Sequence, residues 1–525
     1  MPPATATVTR IAGAAALITV LTVLARIAGF GRTFVFLHTV GHAGLADTYN
    51  AANYIPNIVF ELVAGGALAS LVVPLLAAAV AAGDRERVNA VASALLTWVL
   101  ALLVPVAILV ALLAGPITGL LPDLPPEHRE IAASMLRIFA PQLPLYGVGI
   151  VLTGVLQAHH RFAWPVIAPL LSSVTVMAAY LTYAVVDGAR TDVAGLTHTG
   201  ELTLSVGTTL GVVVLSLCLV IPLRRLGLRL RPGFRFPGGE GRQAVRLGWA
   251  GAVTVGSQQV MNVVVLALTA SDGLTVFSTA QTVFLLPWAV LAVPLATAVY
   301  PRLSASAGQG DEEGFGAALA GTARTVILMA GLGAGALAAL AGPAAYLIGA
   351  APAAPGIVGF APGLFGYALF ALLSRALYAR GATAAAALAT AVGWAIAAVA
   401  ALVLVHLGDD RQMFGLGLAN AIGMTVLAAL LIRSVRRVAG PAALAGLTRA
   451  GAVAVLAAGL AALAGWGTVA GLGAAFWPTP GALGSLIQGI LGGAVVAAVF
   501  AAVAFALDRR DMAPLAATLS RRLRR

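Results

Sequence analysis

The chain has 525 residues, 60% of them hydrophobic and only 10% charged, with a net charge of +12 and a mean hydropathy of +0.98. This composition excludes a soluble globular domain, and the continuous, non-alternating apolar runs exclude a transmembrane barrel. The positive excess is carried by arginine alone and is spread over alternate loops, which argues against a basic face for nucleic acid and follows the positive-inside rule instead.

Fourteen apolar stretches, near 11–36, 48–80, 88–114, 130–157, 163–186, 202–223, 243–270, 275–300, 316–341, 356–379, 382–407, 413–435, 449–471 and 484–507, predict an all-α polytopic membrane protein of about 14 transmembrane helices. The first stretch has no small-residue cleavage site close behind it and is read as a retained helix. Arg85, Arg87, Arg161, the group from Arg224 to Arg242, Arg302, Arg380, Arg433, Arg436, Arg437 and the tail arginines fall on one side. Arg129, Arg190 and Arg411 fall on the other. The bias predicts both termini in the cytoplasm.

The first span carries Arg26 and Arg32. The second carries Asp47, Asn50, Asn53, Asn57 and Glu61 in steps of three, three, four and four. At roughly 100° per residue these five share one helix face of roughly 120°. Lipid tails cannot solvate such a face, since an acid at mid-membrane costs about 2.5–3.5 kcal/mol. The stripe must therefore face protein or a wet cavity. For Arg26 two readings stand: contact with an anionic ligand through its planar fork, or pairing with Asp47 or Glu61. Span seven offers Ser257, Gln258, Gln259 and Asn262, and span eight Ser278 and Gln281, either toward the same cavity or as bonds between helices. Arg137, Arg324 and Arg375 lie near span ends, where snorkelling accounts for them.

The basic loop at 224–242 separates two halves that echo each other. Phe139-Ala140-Pro141 precedes Leu156-Gln157-Ala158 at the spacing by which Phe360-Ala361-Pro362 precedes Leu377-Tyr378-Ala379. Likewise Pro74 precedes Asp84 as Pro301 precedes Asp311. Six spans per half predict two lobes in parallel repeat. The expected divisions are an N-terminal lobe at 1–235, a C-terminal lobe at 236–440, and a terminal helix pair with a basic tail at 441–525. Gly331 with Gly335 and Gly489 with Gly493 are read as close helix contacts. Pro56, Pro74, Pro105, Pro141, Pro144, Pro287, Pro294 and Pro301 mark bends that serve either opening or packing. No metal spacing, nucleophile–base pairing or phosphate-binding glycine motif stands out, and the lone Cys218 rules out disulfides. No cofactor and no enzymatic activity are expected.

The run ARIAGFGRTFVFLHTVGHAGLADTYNAANYIPNIVFELVAGGALASLVVPLL resembles the opening of the MurJ/MviN lipid II flippase family, of the multidrug/oligosaccharidyl-lipid/polysaccharide exporter superfamily. FLLPWAVLAVPLATAVYPRLS is similar to a second-half segment of that family. The resemblance implies alternating-access transport of an undecaprenyl-diphosphate-linked cell-envelope precursor, most simply peptidoglycan lipid II, across the bacterial cytoplasmic membrane. It implies a cationic central cavity, and a groove for the lipid tail beside the last two helices. By position, Arg26 and Arg32 match the span-one arginines of the family and Asp47 its span-two aspartate. Tyr54, Phe60, Glu61, Gly65 and Thr282 stand where members carry other charged residues, so the implied cavity is less cationic than the family norm. The candidate substrate-binding set is Arg26, Arg32, Asp47, Asn50, Asn53, Asn57, Glu61, Gln258 and Gln281. The implied partners are the lipid-linked precursor, membrane lipids and envelope-synthesis proteins, with no nucleic acid. Two other classes remain open: a cation- or proton-coupled small-molecule antiporter using Asp47 or Glu61, and a non-transporting scaffold for envelope synthesis.

Overall fold

The computed structural model describes residues 21, 24–62, 72–121, 124–159, 161–228, 230–237, 240–269, 273–405, 412–476 and 481–509. The start of the first expected span, Gly65, His160, Arg229, His406, Arg411 and the tail arginines 521, 522, 524 and 525 lie outside the described residues. Every regular element among the described residues is helical. Ten helical spans among the described residues are long and apolar enough to cross a membrane. A bent pair, Ala351–Phe360 with Gly363–Ala379 at 58°, adds an eleventh. Helices satisfy their own backbone, which is the only open solution for a chain this apolar. The protein is a multi-pass membrane protein.

Two compact units divide the chain: residues 1–262 with 266–275, and 263–265 with 276–525. The division falls beyond the basic 224–242 loop, where composition alone places the boundary.

The first unit contains α1 (24–39), α2 (Leu45–Glu61), α3 (Val72–Ala81), α4 (Arg85–Leu112), α5 (Ala114–Gly119), α6 (Pro126–Phe139), α7 (Gln142–Ala158), α8 (Ala163–Asp187), α9 (His198–Leu217) and α10 (Val220–Arg224). Most of α11 (Glu240–Thr269) belongs to it as well. One core joins Leu76 of α3, Val91 and Leu95 of α4, and Val151, Leu152 and Val155 of α7, each 5% exposed or less. A buried polar knot lies elsewhere in the same unit. The Tyr49 hydroxyl of α2 is 2.9 Å from that of Tyr180 and 2.7 Å from Thr208 Oγ1, so three hydroxyls on α2, α8 and α9 satisfy one another away from water.

The second unit continues from α12 (Leu274–Pro287, its first two residues in the first unit) through a π-helical turn at Trp288–Ala292 into α13 (Val293–Gln309). It then holds α14 (Glu312–Leu347), α15 (Ala354–Phe360), α16 (Gly363–Ala379), α17 (Thr383–Leu404), α18 (Gln412–Ala439), α19 (Leu447–Phe476) and α20 (Ala482–Leu507). Pro287 removes a backbone donor just where the helix widens to its π turn. Its core stacks Phe277 and Phe284 on Phe360, with ring centroids 5.4 and 5.1 Å apart.

The sequence echo recurs as local geometry. Asp84 caps α4 at φ −77°, ψ 84° and accepts from Arg87 N at 2.9 Å; Asp311 caps α14 at φ −77°, ψ 83° and accepts from Gly314 N at 2.8 Å. Each cap follows a glycine at positive φ, 69° for Gly83 and 70° for Gly310, a conformation other residues rarely adopt. Pro141 and Pro362 each stand immediately before a 17-residue helix, behind the fully buried Phe139 and Phe360.

The terminal pair packs onto α14. A methyl placed on Gly331 would lie 2.9 Å from Ala454 O, and one on Gly335 3.1 Å from Ala458 O, so both glycines admit the α19 backbone as the spacing predicts. The second expected pair divides. Gly489 has nothing within 4 Å and Gly493 only Leu340 at 3.6 Å; the close approaches on α20 come from Gly492, facing Val469 and Leu340. Small residues four apart mark a possible seam, and helix rotation decides which of them lies in it. At the far end of α16, Arg380 forms an ion pair with Glu312 and stacks over the Phe315 ring at 4.1 Å. Hydrogen bonding to Glu312 raises the pKa of Arg380 above its ordinary value.

Candidate functional site

The polar stripe of α2 is divided by the structure into a sealed end and an open end. At the sealed end Asp47 is 1% exposed. Its Oδ1 accepts from the Thr275 amide at 2.7 Å and its Oδ2 from the Gly273 amide at 3.1 Å. Asn50 Nδ2 donates to Thr275 Oγ1 at 2.8 Å. Leu274 and Thr275 begin α12, so Asp47 serves a neighbouring helix as a cap. The first amides of a helix lack internal partners and carry the positive end of its dipole, which a buried carboxylate neutralises. The acid does need a partner, as the sequence implies. Two backbone amides meet that need, and no ion pair joins Asp47 to Arg26 among the described residues.

At the open end Asn53 and Asn57 are half-buried and Glu61 is exposed. Tyr146 of α7 donates its hydroxyl to Asn57 Oδ1 at 3.3 Å, and its ring lies 4.2 Å from that of Phe60. The charges of Arg32 and Glu61 both reach the Tyr146 hydroxyl. Arg32 is exposed on α1, and its charge also reaches the hydroxyls of Tyr49 and Tyr180. The carbonyl oxygen of Asn53 is buried and has no hydrogen-bond partner, an acceptor held out of water without compensation. The first unit thus brings Asn57, Phe60 and Tyr146 together, with the charges of Arg32 and Glu61 felt at the Tyr146 hydroxyl.

Tyr146 is the residue that sequence reasoning missed. Its signal was a phenol in the middle of an apolar span, two residues after Pro144 and four after the fully buried Gln142. Arg26 is exposed on α1 and pairs with neither Asp47 nor Glu61 among the described residues. Gln258 is half-buried on α11, and a methyl on the nearby Gly256 would meet Leu62 at 3.5 Å. Gln259, beside it, is 5% exposed. Its Oε1 accepts from Asn262 Nδ2 at 2.9 Å, while its own Nε2 is buried without a hydrogen-bond partner. Gln281 belongs to the second unit and is half-buried on α12. Thr282 spends its hydroxyl inside the helix, on Ser278 O at 2.9 Å.

Of the arginines assigned to snorkelling, Arg375 behaves otherwise. Its Nη1 donates to Ala371 O, one turn back along α16, so the guanidinium points away from the near end of the span. Arg324 instead reaches Ala445 O at 2.9 Å.

Arginine and phenol donors suit phosphate or hydroxyl oxygens, and no nucleophile–base pair lies among them.

The family model described as lipid II flippase MurJ matches residues 36–492. A probable lipid II flippase MurJ of Synechocystis sp. (strain ATCC 27184 / PCC 6803 / Kazusa) is 31% identical over 234 residues, 43% of this chain and 43% of its own length. Lipid II flippase MurJ of Burkholderia cenocepacia is 27% identical over 340 residues, 62% of this chain and 64% of its own. The matches therefore span less than two thirds of these curated relatives. Among solved structures, a lipid II flippase MurJ in an inward closed conformation has a TM-score of 0.73 at 18% identity, covering 93% of this chain and 98% of that one. An inward-facing MATE family transporter of the MOP superfamily has a TM-score of 0.61 at 17% identity, covering 79% and 94%. Those two likenesses are of fold. With a family model running from α1 into α20, the chain belongs to the lipid II flippase MurJ family.

Proposed function

We propose that this protein translocates an undecaprenyl-diphosphate-linked cell-envelope precursor, peptidoglycan lipid II in the simplest case, across the bacterial cytoplasmic membrane by alternating access. Family membership over residues 36–492 is the observation that carries the reading. The proposal includes fourteen spans with both termini in the cytoplasm, two six-helix lobes and a terminal pair, and no bond chemistry. Arg32 is the cation for the diphosphate. Asn53, Asn57 and Tyr146 offer hydrogen bonds to headgroup oxygens, and Arg26, Glu61 and Gln258 complete the polar lining of the first unit; Gln281 is the candidate contact of the second. Asp47 and Asn50 serve the same function indirectly, by fixing the start of α12.

Depletion of the protein in its native host, with each lipid-linked precursor followed by leaflet, tests the proposal. Accumulation of the peptidoglycan precursor on the inner leaflet is the expected result. Accumulation of a different polyprenyl-linked precursor reassigns the substrate, and accumulation of none refutes transport. An antiporter reading rests on one observation, the exposed Glu61 carboxylate whose charge reaches Tyr146, and it requires proton or cation coupling.

A further inference from the structure

Between α10 and α11 the sequence alternates with a period of two. Leu226, Leu228, Leu230, Phe234 and Phe236 take even positions, and Arg225, Arg229, Arg231 and Arg235 odd ones. Such a repeat is that of an extended chain with one apolar and one cationic face. The structure has no helix from 230 to 236. Leu226, Leu228, Leu230 and Phe236 pack on the first-unit core that includes Val88, Val91, Ala92 and Leu95.

Side chains of α4 hold this segment in place. The Arg231 amide donates to Ser93 Oγ at 3.0 Å and the Gly233 amide to Thr97 Oγ1 at 3.0 Å. Trp98 Nε1 donates to Phe234 O at 3.0 Å, with the two rings edge to face at 5.2 Å. Ser93 and Thr97 are one turn apart and so lie on one face of α4. The segment is a strap fixed along a membrane-spanning helix.

What the strap presents outward has the character of a lipid site. Arg231 and Arg235 are exposed, and they line a cleft of about 630 Å³ together with Glu86, Asn89, Ser93 and Phe234. Trp98 is 53% exposed and Phe234 55%. Beyond Leu95 helix α4 is almost wholly apolar, and only 28% of its most apolar 18-residue stretch is buried. Trp98 therefore marks the membrane boundary, where indole rings collect. The arginine-rich loop belongs on the cytoplasmic face by the positive-inside rule, the leaflet face that attracts basic segments through its anionic lipids.

We propose that α4 and the strap form a binding site for an anionic glycerophospholipid of the inner leaflet. Its phosphate lies against Arg231 and Arg235, its headgroup hydroxyls against Glu86 and Asn89, and its acyl chains along Trp98 and Phe234. Guanidinium forks match phosphate geometry. The carboxylate of Glu86 disfavours a bare phosphate and suits a headgroup that brings hydroxyl donors. This site is separate from the polar face of α2 and does not rest on the transport reading.

The full-length protein, purified in neutral detergent, is titrated with dioleoylphosphatidylglycerol or dioleoylphosphatidylcholine and the bound lipid counted by native mass spectrometry. Near an anionic surface each arginine contributes about fivefold in affinity, so losing both costs about 25-fold. The wild type prefers phosphatidylglycerol; R231Q/R235Q loses about 25-fold of that preference, R231K/R235K retains most of it, and R436Q/R437Q in the other unit leaves it unchanged. Equal binding of the two lipids by the wild type overturns the lipid assignment. A loss in R436Q/R437Q as large as in R231Q/R235Q overturns the location, and failure of R231K/R235K to retain binding overturns the role given to charge.

Discussion

Replacing Asp47 with Asn tests how the sealed end of α2 works. The carboxylate accepts two amides, at 2.7 and 3.1 Å, while 1% exposed. Hydrogen bonds to a charged group contribute about 1.5–3 kcal/mol each. Asn has the same shape and keeps one acceptor oxygen, but it presents an NH₂ group to the second amide and removes the charge that faces the helix dipole. The expected loss is about 2–3 kcal/mol, made up of one charge-assisted bond and part of the dipole contribution. Asp47→Ala leaves both amides buried without their acceptor and should cost about 3–5 kcal/mol. Hydrogen–deuterium exchange of the protein in lipid nanodiscs reads this locally. At about 1.4 kcal/mol per tenfold change, exchange at Gly273 and Thr275 should rise about 30- to 140-fold in Asp47→Asn and further in Asp47→Ala. Peptides from α9 should be unaffected. Exchange that stays within about threefold of wild type in both variants would show that Asp47 does not hold the start of α12, and the cap assignment would fall.

Gly366→Ala should destabilise the second unit by about 1–3 kcal/mol, because its methyl would sit 2.2 Å from Met424 O, whereas Gly489→Ala meets nothing within 4 Å and should be neutral; equal melting temperatures for the two variants would contradict the packing described. Tyr146→Phe removes a hydroxyl of the proposed site, one that donates to Asn57 in the structure, and should weaken precursor binding about fivefold, the worth of one ordinary hydrogen bond, at a stability cost of about 1 kcal/mol; binding at wild-type strength would remove Tyr146 from the site. Glu61→Gln should leave the pH profile of transport as it is in wild type, because the flippase reading gives Glu61 no coupling role. Loss in that variant of a proton dependence present in wild type would shift the protein toward the antiporter class.

The membrane class and the recurring caps were legible because each follows from a one-dimensional regularity: apolar runs of span length, and FAP and cap motifs that return at the same spacing. What escaped was set by contacts distant in sequence. Asp47 needed a partner, and nothing in its neighbourhood indicated that amides more than two hundred residues away would provide it. Tyr146 became visible only when α7 brought it against Asn57. Gly489 and Gly492 look alike in sequence, and only the rotation of α20 separates them. The strap is a different case. Its alternation was open to inspection in residues 225–236, but a basic loop between halves reads first as a charge bias, and period two is not sought in a helical protein.

The most direct test of the central claim is transport by the purified protein in proteoliposomes loaded with fluorescent lipid II, scored by exposure of the headgroup to an added outside reagent. Wild type should carry the lipid across, Arg32→Gln should reduce the rate at least tenfold while keeping its melting temperature, and Arg436→Gln should match wild type. A wild-type rate no faster than that of empty liposomes, or an Arg32→Gln variant as fast as wild type, would contradict the account.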